Sequence, residues 1–402
     1  MKSNILNFLH DDLILPQPEV LELSNKNKSL FIGIPREIAL QEKRVPLVPE
    51  TVGLLVNNGH KVYIESKAGE QSSFLDIEYS EAGAKVCKNV NEIYEADIIL
   101  KVAPPTISEL DLFKKGQCLI SALQLNTQKK EYFKKLIDKK VTAVGFEYIR
   151  DEINSYPIVK SMSEIAGTSS ILIAAELLTS TSGGRGVLMG GIAGVNPVQI
   201  VIIGAGTVAE YAARSGVSLG ASVKVFGNSI SRLRRIQNDL SLPVSTSIMQ
   251  PKVLEKSIKR ADVVIGALRS KFGKTPCVIS EEMVKKMKSR SVIVDVSIDQ
   301  GGCFETSKLT SHESPTFIKH DVVHYCVPNI ASRSSKTASF SLSNILAPLL
   351  LKVGEGGGVK GILLRSQNIR FGVYVYNGTL TNKGISSWFD LPSKDIDLLL
   401  GL

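Results

Sequence analysis

The sequence predicts an α/β fold built from two doubly wound domains that face each other across a cleft and are joined by long helices. Three observations predict it. Short apolar, β-branched segments alternate with helical patterns along most of the chain, which is typical of mostly parallel sheets with helices on both faces. Two long helical segments interrupt that alternation. A glycine-rich turn lies in the second half of the chain, and 402 residues suffice for two ordinary domains.

The first series of strands follows an N-terminal extension, residues 1–28, whose role the sequence does not reveal. The predicted strands are Phe31–Ile34, Lys61–Glu65, Asp97–Val102, Cys118–Leu123 and Val141–Phe146, with helices such as Glu50–Asn58 and Lys129–Lys139 between them. We assign residues 29–160 to a first domain. Ser161–Ser180 is predicted to connect the domains, and a second long helix, Lys336–Val353, to return residues 340–402 to the first domain.

The second series, in residues 161–339, contains the stretch around which the chain is organised. The strand Val198–Ile203 leads directly into Gly204-Ala205-Gly206, and a helical pattern rich in small residues follows. This is the phosphate-binding turn of a Rossmann-like domain. Gly204 permits the turn, and Gly206 lets the N–H groups of the next residues, Thr207 and Val208, approach a pyrophosphate. The later strands are Ser222–Phe226, Val263–Ala267 and Ser291–Val296.

Composition narrows the class of protein. The net charge of +9, from 48 basic and 39 acidic side chains, favours anionic partners, although a solvated lysine-rich surface is the interpretation we prefer. No basic run interleaved with aromatics predicts nucleic-acid binding, and no histidine or cysteine spacing predicts a metal site. Five scattered cysteines predict free, mostly buried thiols in a reducing cytoplasm. We expect no signal peptide and no apolar segment long enough to span a membrane.

Several polar residues follow predicted strands, where ligands bind in open α/β sheets. Lys101 ends one strand, Gln124 another, and Asp299 precedes a Gly-Gly turn. Arg44 lies in the loop after the first strand, where its guanidinium can fork onto a carboxylate. Taken singly, each residue has a structural explanation as a surface charge or a turn former.

A resemblance to a known family gives these residues roles. The segments that carry it, between about Leu30 and Leu351, are IGIPREIALQEKRVPLVPE, ADIILKVAPP, MSEIAG, GGRGVLMGGIAGVNP, VIIGAGTVAEYAA, KRADVVIGA, VIVDVSIDQGGCFE and PTF…HD…YCVPN. They resemble alanine dehydrogenase and, less closely, the soluble NAD-binding part of proton-translocating transhydrogenase. The resemblance implies a usually hexameric enzyme that transfers hydride between L-alanine and NAD, with residues 29–160 as the substrate domain.

The resemblance also implies the site. Arg44 and Asn329 would bind the substrate, Lys101 would bind and polarise it, and Asp299 would handle protons. The cofactor contacts that it implies are Ser163, Leu268, Arg269, Val296, Ser297, Ile298, Asp299, Val327, Asn329 and Ile330. The dinucleotide-binding motif itself adds Gly204, Gly206, Thr207, Val208, Gly227, Asn228 and Arg232.

Two departures from the family pattern leave alternatives open. Gln124 stands where the family has a histidine, and an amide cannot titrate near neutral pH, so proton transfer would fall to Asp299 or Lys101. After the strand Ser222–Phe226, Asn228 and Arg232 occupy the region where NAD-binding units place a carboxylate on the ribose 2′-hydroxyl. NAD and NADP therefore both remain open, and the arginine favours NADP.

The leading hypothesis is thus an NAD(P)-dependent amino-acid dehydrogenase acting on a small 2-oxo or 2-amino acid. One alternative is a non-catalytic NAD(P)-binding module like a soluble transhydrogenase subunit, against which stands MSEIAG in place of an RAQ-type segment. Another is an imine reductase of the lysine–oxoglutarate reductase type, which Gln124 keeps open.

Overall fold

The structure is a computed structural model that describes residues 28–39, 41–240, 244–270 and 274–402. Nearly all of the expected N-terminal extension lies outside these ranges. Its last residue, Lys28, donates its backbone N–H to the carbonyl oxygen of Gly354 at 2.9 Å. The chain therefore enters the first domain beside the end of the second long helix.

The first sheet begins with six parallel strands. They are β1 (Phe31–Ile34), β2 (Lys61–Glu65), β3 (Lys85–Cys87), β4 (Ile98–Leu100), β5 (Cys118–Ser121) and β6 (Thr142–Gly145). Their order in space is β6-β5-β4-β1-β2-β3, so the chain reverses direction across the sheet between β1 and β4. The central strands are buried along their whole length, which explains their continuous apolar sequences.

The second sheet has seven strands in the order β12-β13-β11-β10-β7-β8-β9, with the reversal between β7 and β10. They are β7 (Gln199–Ile203), β8 (Ser222–Gly227), β9 (Ser245–Ile248), β10 (Val263–Gly266), β11 (Val292–Asp295), β12 (Thr316–Lys319) and β13 (Val322–Tyr325). All pairs are parallel except β12 with β13. The predicted strands of both sheets are confirmed to within one or two residues at each end.

The C-terminal segment returns to the first sheet. Strands β14 (Val373–Tyr376) and β15 (Thr379–Leu380) extend that sheet beyond β6 in antiparallel orientation. Two doubly wound α/β sheets joined by long helices are therefore the observed architecture, as the sequence predicts.

Helices cover both faces of the two sheets. They are α1 (Pro49–Asn57), α2 (Asp76–Glu81), α3 (Val90–Ile93), α4 (Ile107–Leu112), α5 (Lys130–Asp138), α6 (Pro157–Leu177), α7 (Thr207–Ser218), α8 (Ile230–Asp239), α9 (Pro251–Arg260), α10 (Glu281–Lys285), α11 (Ser335–Glu355), α12 (Val359–Arg365), α13 (Gln367–Arg370), α14 (Lys383–Phe389) and α15 (Ile396–Leu400). Short 3₁₀ helices at Leu125–Thr127, Val296–Gln300 and Ile330–Ser334 shape the loops of the site.

The long helices α6 and α11 lie against each other between the sheets. A Cβ added to Gly167 of α6 would approach the carbonyl oxygen of Val208 to 2.5 Å, so glycine permits the close packing of α6 on α7. Leu342, Leu346 and Leu350 of α11 recur every fourth residue and are completely buried.

The expectation that no apolar segment is long enough to span a membrane is wrong by length and composition. Pro157–Leu177 and Ile330–Glu355 both reach that length, and about half of each is buried inside the protein. Both are connecting helices of the fold, and core helices of this kind satisfy the same criterion.

Candidate active site

The first half of the site lies where the first sheet reverses its strand order. The loop after β1 carries Arg44, and Lys101 follows β4, the neighbouring strand. The carboxyl ends of these two strands diverge into loops on opposite sides of the sheet, which leaves a crevice for a ligand. Arg44 and Lys101, which are more than fifty positions apart in the sequence, therefore both lie at the carboxyl-terminal edge of the first sheet.

Lys101 is completely buried between two carboxylates that the sequence analysis missed. Its Nζ lies 2.8 Å from Oε1 of Glu109 and 3.1 Å from Oε2 of Glu37. Burial lowers the pKa of Lys101, but the charges of Glu37 and Glu109 outweigh it and raise that pKa above its ordinary value. Burial raises the pKa of Glu37 to about 6, despite the nearby ammonium. The raised pKa keeps Lys101 charged between the two carboxyl groups.

Arg44 is also buried, and its guanidinium forks onto a carboxylate of this chain. Its Nε and Nη2 donate to the two oxygens of Glu42 at 2.7 and 2.6 Å. Nη2 also donates to Oδ1 of Asn329 at 2.6 Å, whereas Nη1 contacts only the sulfur of Met162, a weak acceptor. Nη1 is therefore the part of the guanidinium left for a ligand.

Asn329 connects the two halves of the site. Its backbone takes the left-handed conformation, with φ of 56°, and its N–H donates to Oδ1 of Asp299 at 3.0 Å. Its side-chain amide donates to Oε2 of Glu42 at 2.6 Å. Asp299 reaches solvent, yet the walls of the cleft surround its carboxyl, and this desolvation raises its pKa. A continuous chain of hydrogen bonds thus joins Arg44 to Asp299.

Gln124 follows β5 and sits in a strained turn. Its φ of 45° is uncommon for a residue with a side chain, and such strain occurs at functional sites. A buried carboxylate oxygen of Glu147 accepts the N–H groups of Leu123 at 2.8 Å and Gln124 at 3.2 Å. Within the described ranges the side-chain amide of Gln124 makes no hydrogen bond, so it is available to a ligand.

Glu147 was not singled out from the sequence. Like Glu37, which lies three residues after β1, it is a carboxylate shortly after a buried strand, two residues beyond β6. That position is the signal that could have identified both. Glu42 and Glu109 lie within loop and helix sequences and carried no such signal.

The second half of the site is the glycine turn after β7. Gly204 has φ of 130°, and a Cβ there would lie 2.3 Å from the carbonyl oxygen of Ala267. Gly206 is extended, and a Cβ on it would meet no described atom within 4 Å. Open space next to the N-terminus of α7, where Thr207 and Val208 present their N–H groups, fits the pyrophosphate of a dinucleotide.

Residues after β10, β11 and β13 form the rest of this edge. The Leu268 N–H donates to Oγ of buried Ser297 at 2.9 Å. Asp295, which the sequence analysis missed, accepts from Ser297 N–H and Cys303 N–H at 3.0 Å each and from the Ser307 hydroxyl at 2.6 Å. This buried carboxylate fixes the turn that carries Val296, Ile298 and Asp299.

The remaining predicted cofactor residues occupy the same half. Ser163 lies on α6 one turn before Gly167, Arg269 follows Leu268 at the surface, and Val327 and Ile330 are buried on either side of Asn329. Over the described part of the chain, no group of three or more His, Cys, Asp or Glu side chains is arranged to hold a metal ion.

The end of β8 carries the residues relevant to cofactor choice. Gly227 packs against Ala205, Asn228 is exposed, and Ser229 caps α8 by accepting the Arg232 N–H at 3.4 Å. The Arg232 side chain is exposed and has no ion-pair partner in the described ranges. Arg235, by contrast, is 3.3 Å from Glu210.

The cysteines match expectation. All five thiols are free, and four are buried, with Cys277 exposed.

Comparison with known proteins identifies the family. The model of the alanine dehydrogenase/PNT N-terminal domain matches residues 33–166, and that of the C-terminal domain matches residues 170–383. Alanine dehydrogenase 2 of Staphylococcus aureus strain USA300 is 38% identical over 372 residues, which is 92% of this chain and 100% of the relative.

Solved structures agree. An L-alanine dehydrogenase matches with a TM-score of 0.84 at 35% identity, covering 89% of this chain and 99% of the other. A transhydrogenase from Sinorhizobium meliloti matches with a TM-score of 0.76 at 22% identity, covering 87% and 100%, and shares the fold. The two family models together span both sheets and both halves of the site, and this chain therefore belongs to the alanine dehydrogenase/PNT family.

Proposed function

We propose that this protein is an amino-acid dehydrogenase that interconverts L-alanine with pyruvate and ammonium, using a nicotinamide cofactor. Its relatives make it an oxidoreductase of the alanine dehydrogenase type. The observation that carries the proposal is the hydrogen-bonded chain Arg44–Asn329–Asp299, which joins a carboxylate-binding cation on one sheet to an acid on the other. An oxidation of this kind needs both groups within reach of one small substrate.

Each residue then has a role in the reaction. Nη1 of Arg44 holds the substrate carboxylate, and Lys101 polarises the carbonyl oxygen or the imine nitrogen. When bound, the nicotinamide accepts hydride from the α-carbon of alanine or returns it to the iminium carbon. The Gln124 amide orients the carbonyl group without exchanging a proton.

Release of ammonia requires a proton carrier. The α-carbon loses its hydride and forms a C=N bond, water adds to that carbon, and the C–N bond then breaks as the C=O bond forms. Asp299 takes a proton from the attacking water and returns it to the nitrogen, and its raised pKa brings the acid nearer to the working pH. Oxidation of one alanine by one cofactor thus yields pyruvate, ammonium and one further proton.

The assay that tests the proposal uses purified protein with pyruvate, ammonium and NADH or NADPH, followed by nicotinamide absorbance. Oxidation that requires ammonium supports it. Cofactor binding without turnover would instead indicate a transhydrogenase-like module, and turnover only with a longer amine would indicate an imine reductase. Gln124→His should raise turnover with alanine if the missing imidazole limits the rate.

For the choice of cofactor, we infer that NADPH binds at least as well as NADH. Asn228 brings no negative charge toward a 2′-phosphate, and the exposed Arg232 guanidinium is free of ion pairs in the described ranges. Comparison of kcat/KM for both cofactors tests this. Asn228→Asp should shift preference toward NADH, whereas Arg234→Ala, which changes an exposed charge on α8 two residues beyond Arg232, serves as the control.

We also propose a cytoplasmic homo-oligomer, a hexamer by family resemblance. The glycine-rich loop 184–197 presents Leu188, Ile192 and Val195 to solvent, and exposed apolar patches of this kind mark protein interfaces. Light scattering after size-exclusion chromatography measures the assembly, and Ile192→Asp should weaken it if this loop is the contact.

A further inference from the structure

A groove of about 650 Å³ opens on one face of the second sheet, away from the site described above. Its floor includes Val201 and Lys224, and Gln199, Ser222 and Ser245, which begin β7, β8 and β9, lie at its end. The cofactor turn Gly204–Gly206 follows the other end of β7. The groove and the cofactor site therefore lie at opposite ends of the same strands.

Helix α9 forms one wall and contributes a row of cations. Lys252, Lys256 and Arg260 line the groove at intervals of four residues, so they share one face of the helix over about 12 Å. Lys224 faces them from β8, and its Nζ lies 3.3 Å from Oγ of Ser257. None of the described lining residues is acidic.

This row differs from the lysines around it. Lys286 pairs with Glu255 of α9 itself, Lys285 with Glu282, and Lys288 with Asp262. Within the described part of the chain, no carboxylate pairs with Lys252, Lys256 or Arg260. Like charges four residues apart destabilise a helix, so the row carries a local cost that a bound anion would remove.

We propose that this groove binds a small oligophosphate, an anion with two or more linked phosphate groups. Four cations along about 12 Å match a chain of phosphates better than a single one, which would reach only part of the row. Hydroxyl groups of Ser222, Ser245 and Ser257 supply further donors. The groove has no aromatic lining on which nucleic-acid bases could stack, which argues against single-stranded nucleic acid as the ligand.

Isothermal titration of the full-length protein with inorganic tripolyphosphate tests the proposal, with and without saturating NADH. We expect one site per chain, unaffected by NADH because the groove is remote from the glycine turn. Lys256→Glu should weaken binding about tenfold or more, as expected from losing one charged hydrogen bond. Lys259→Glu changes the charge of the same helix equally but does not line the groove, and should change affinity less than twofold.

Thermal melting of both variants checks that these exposed substitutions leave the fold intact, and Lys256→Arg should restore binding. Absence of tripolyphosphate binding would overturn the proposal. So would equal weakening by Lys256→Glu and Lys259→Glu, which would indicate general charge attraction, or competition by NADH, which would place the anion in the cofactor site. None of these results depends on whether the protein oxidises alanine.

Discussion

The two sheets form their halves of the candidate active site by different means. The second sheet uses backbone: a strand, two glycines and a helix N-terminus, all within Ile203–Val208, make space and present N–H groups. The first sheet uses side chains from separate loops, and it buries both of its cations against carboxylates. The predicted phosphate-binding turn is thus formed by residues that are adjacent in the sequence. The cluster of cations and carboxylates in the first sheet is formed only by contacts between distant parts of the chain.

The two halves also differ in electrostatic cost. Buried Lys101 and Arg44 each need a carboxylate partner beside them, since an isolated charge in the interior is strongly unfavourable. The glycine turn carries no formal charge and relies on peptide dipoles. Substitutions in the first half should therefore impair chemistry and stability together, while substitutions in the second half can separate cofactor affinity from stability.

The largest expected effect is that of Lys101→Met. Removing the cation that we propose polarises the substrate should lower kcat by about 10²–10³-fold. It should also destabilise the fold by about 3–5 kcal/mol, because Glu37 and Glu109 lose their shared partner. Steady-state kinetics and urea unfolding measure the two effects. NADH affinity should stay within about twofold, and a parallel loss of NADH binding would contradict the separation of the halves.

A matched pair of glycine substitutions tests the second half. Gly204→Ala places a Cβ 2.3 Å from the Ala267 carbonyl at a positive φ, and should destabilise the protein by about 3 kcal/mol. Gly206→Ala meets open space at an ordinary φ, so stability should change by less than about 1 kcal/mol.

NADH affinity should nevertheless fall about tenfold in Gly206→Ala, because the methyl group occupies the space assigned to the pyrophosphate. Calorimetric titration and thermal melting distinguish the two variants. Unchanged NADH affinity in Gly206→Ala would contradict the proposal that the glycine turn binds the pyrophosphate.

Glu37 in the first sheet's half and His324 in the second sheet should contribute to the pH dependence of stability in opposite directions. The pKa of Glu37 is raised from 4.5 to about 6, so the folded state retains a proton that the unfolded chain releases. Its contribution to stability therefore falls as pH rises through that window, by about 2 kcal/mol.

His324, buried in strand β13 of the second sheet and hydrogen-bonded to Thr306, behaves in the reverse sense. Burial lowers its pKa from 6.5 to about 4, so the unfolded chain binds a proton that the folded state excludes. Its contribution is lost as pH falls from 6.5 toward 4, by about 3 kcal/mol.

Melting temperatures measured between about pH 4 and pH 6.5 report the summed contributions of Glu37 and His324 to stability. Glu37→Gln should steepen the rise of stability with pH, and His324→Gln should flatten or reverse it. Equal slopes in the two variants would show that other groups dominate.

The most conservative substitution is Arg44→Lys. The charge remains but the planar fork is lost, so KM for pyruvate should rise about tenfold to a hundredfold. Met162→Leu, which removes the sulfur contact of Nη1 but keeps the charge and the fork, is the matched control and should change KM little. A rise in KM for NADH instead would place Arg44 on the cofactor side.

The strands that could be predicted from the sequence were those with a clear local pattern of apolar residues. The central strands carried continuous apolar runs and were located to within a residue or two. The short strands at or next to the edges of the sheets escaped notice: β3, β9, β12, β13, β14 and β15. Each has two to four residues, and β9 and β12 are also incompletely buried, so their apolar pattern is weak. Helix α6 begins at Pro157 rather than at Ser161, since proline suits a first helical turn and Ile158 is already buried there.

The sequence by itself determined the two α/β sheets and the glycine turn, because apolar periodicity and the need for positive φ at Gly204 are properties of adjacent residues. Only the tertiary structure decided the partners of the cations. Glu42 takes the fork of Arg44, Glu37 and Glu109 enclose Lys101, and Asn329 bridges to Asp299. These pairings depend on which loops the strand order brings together. A buried charge pairs with the carboxylate that lies nearest in space, and the pattern of adjacent residues in the sequence does not indicate which one that is.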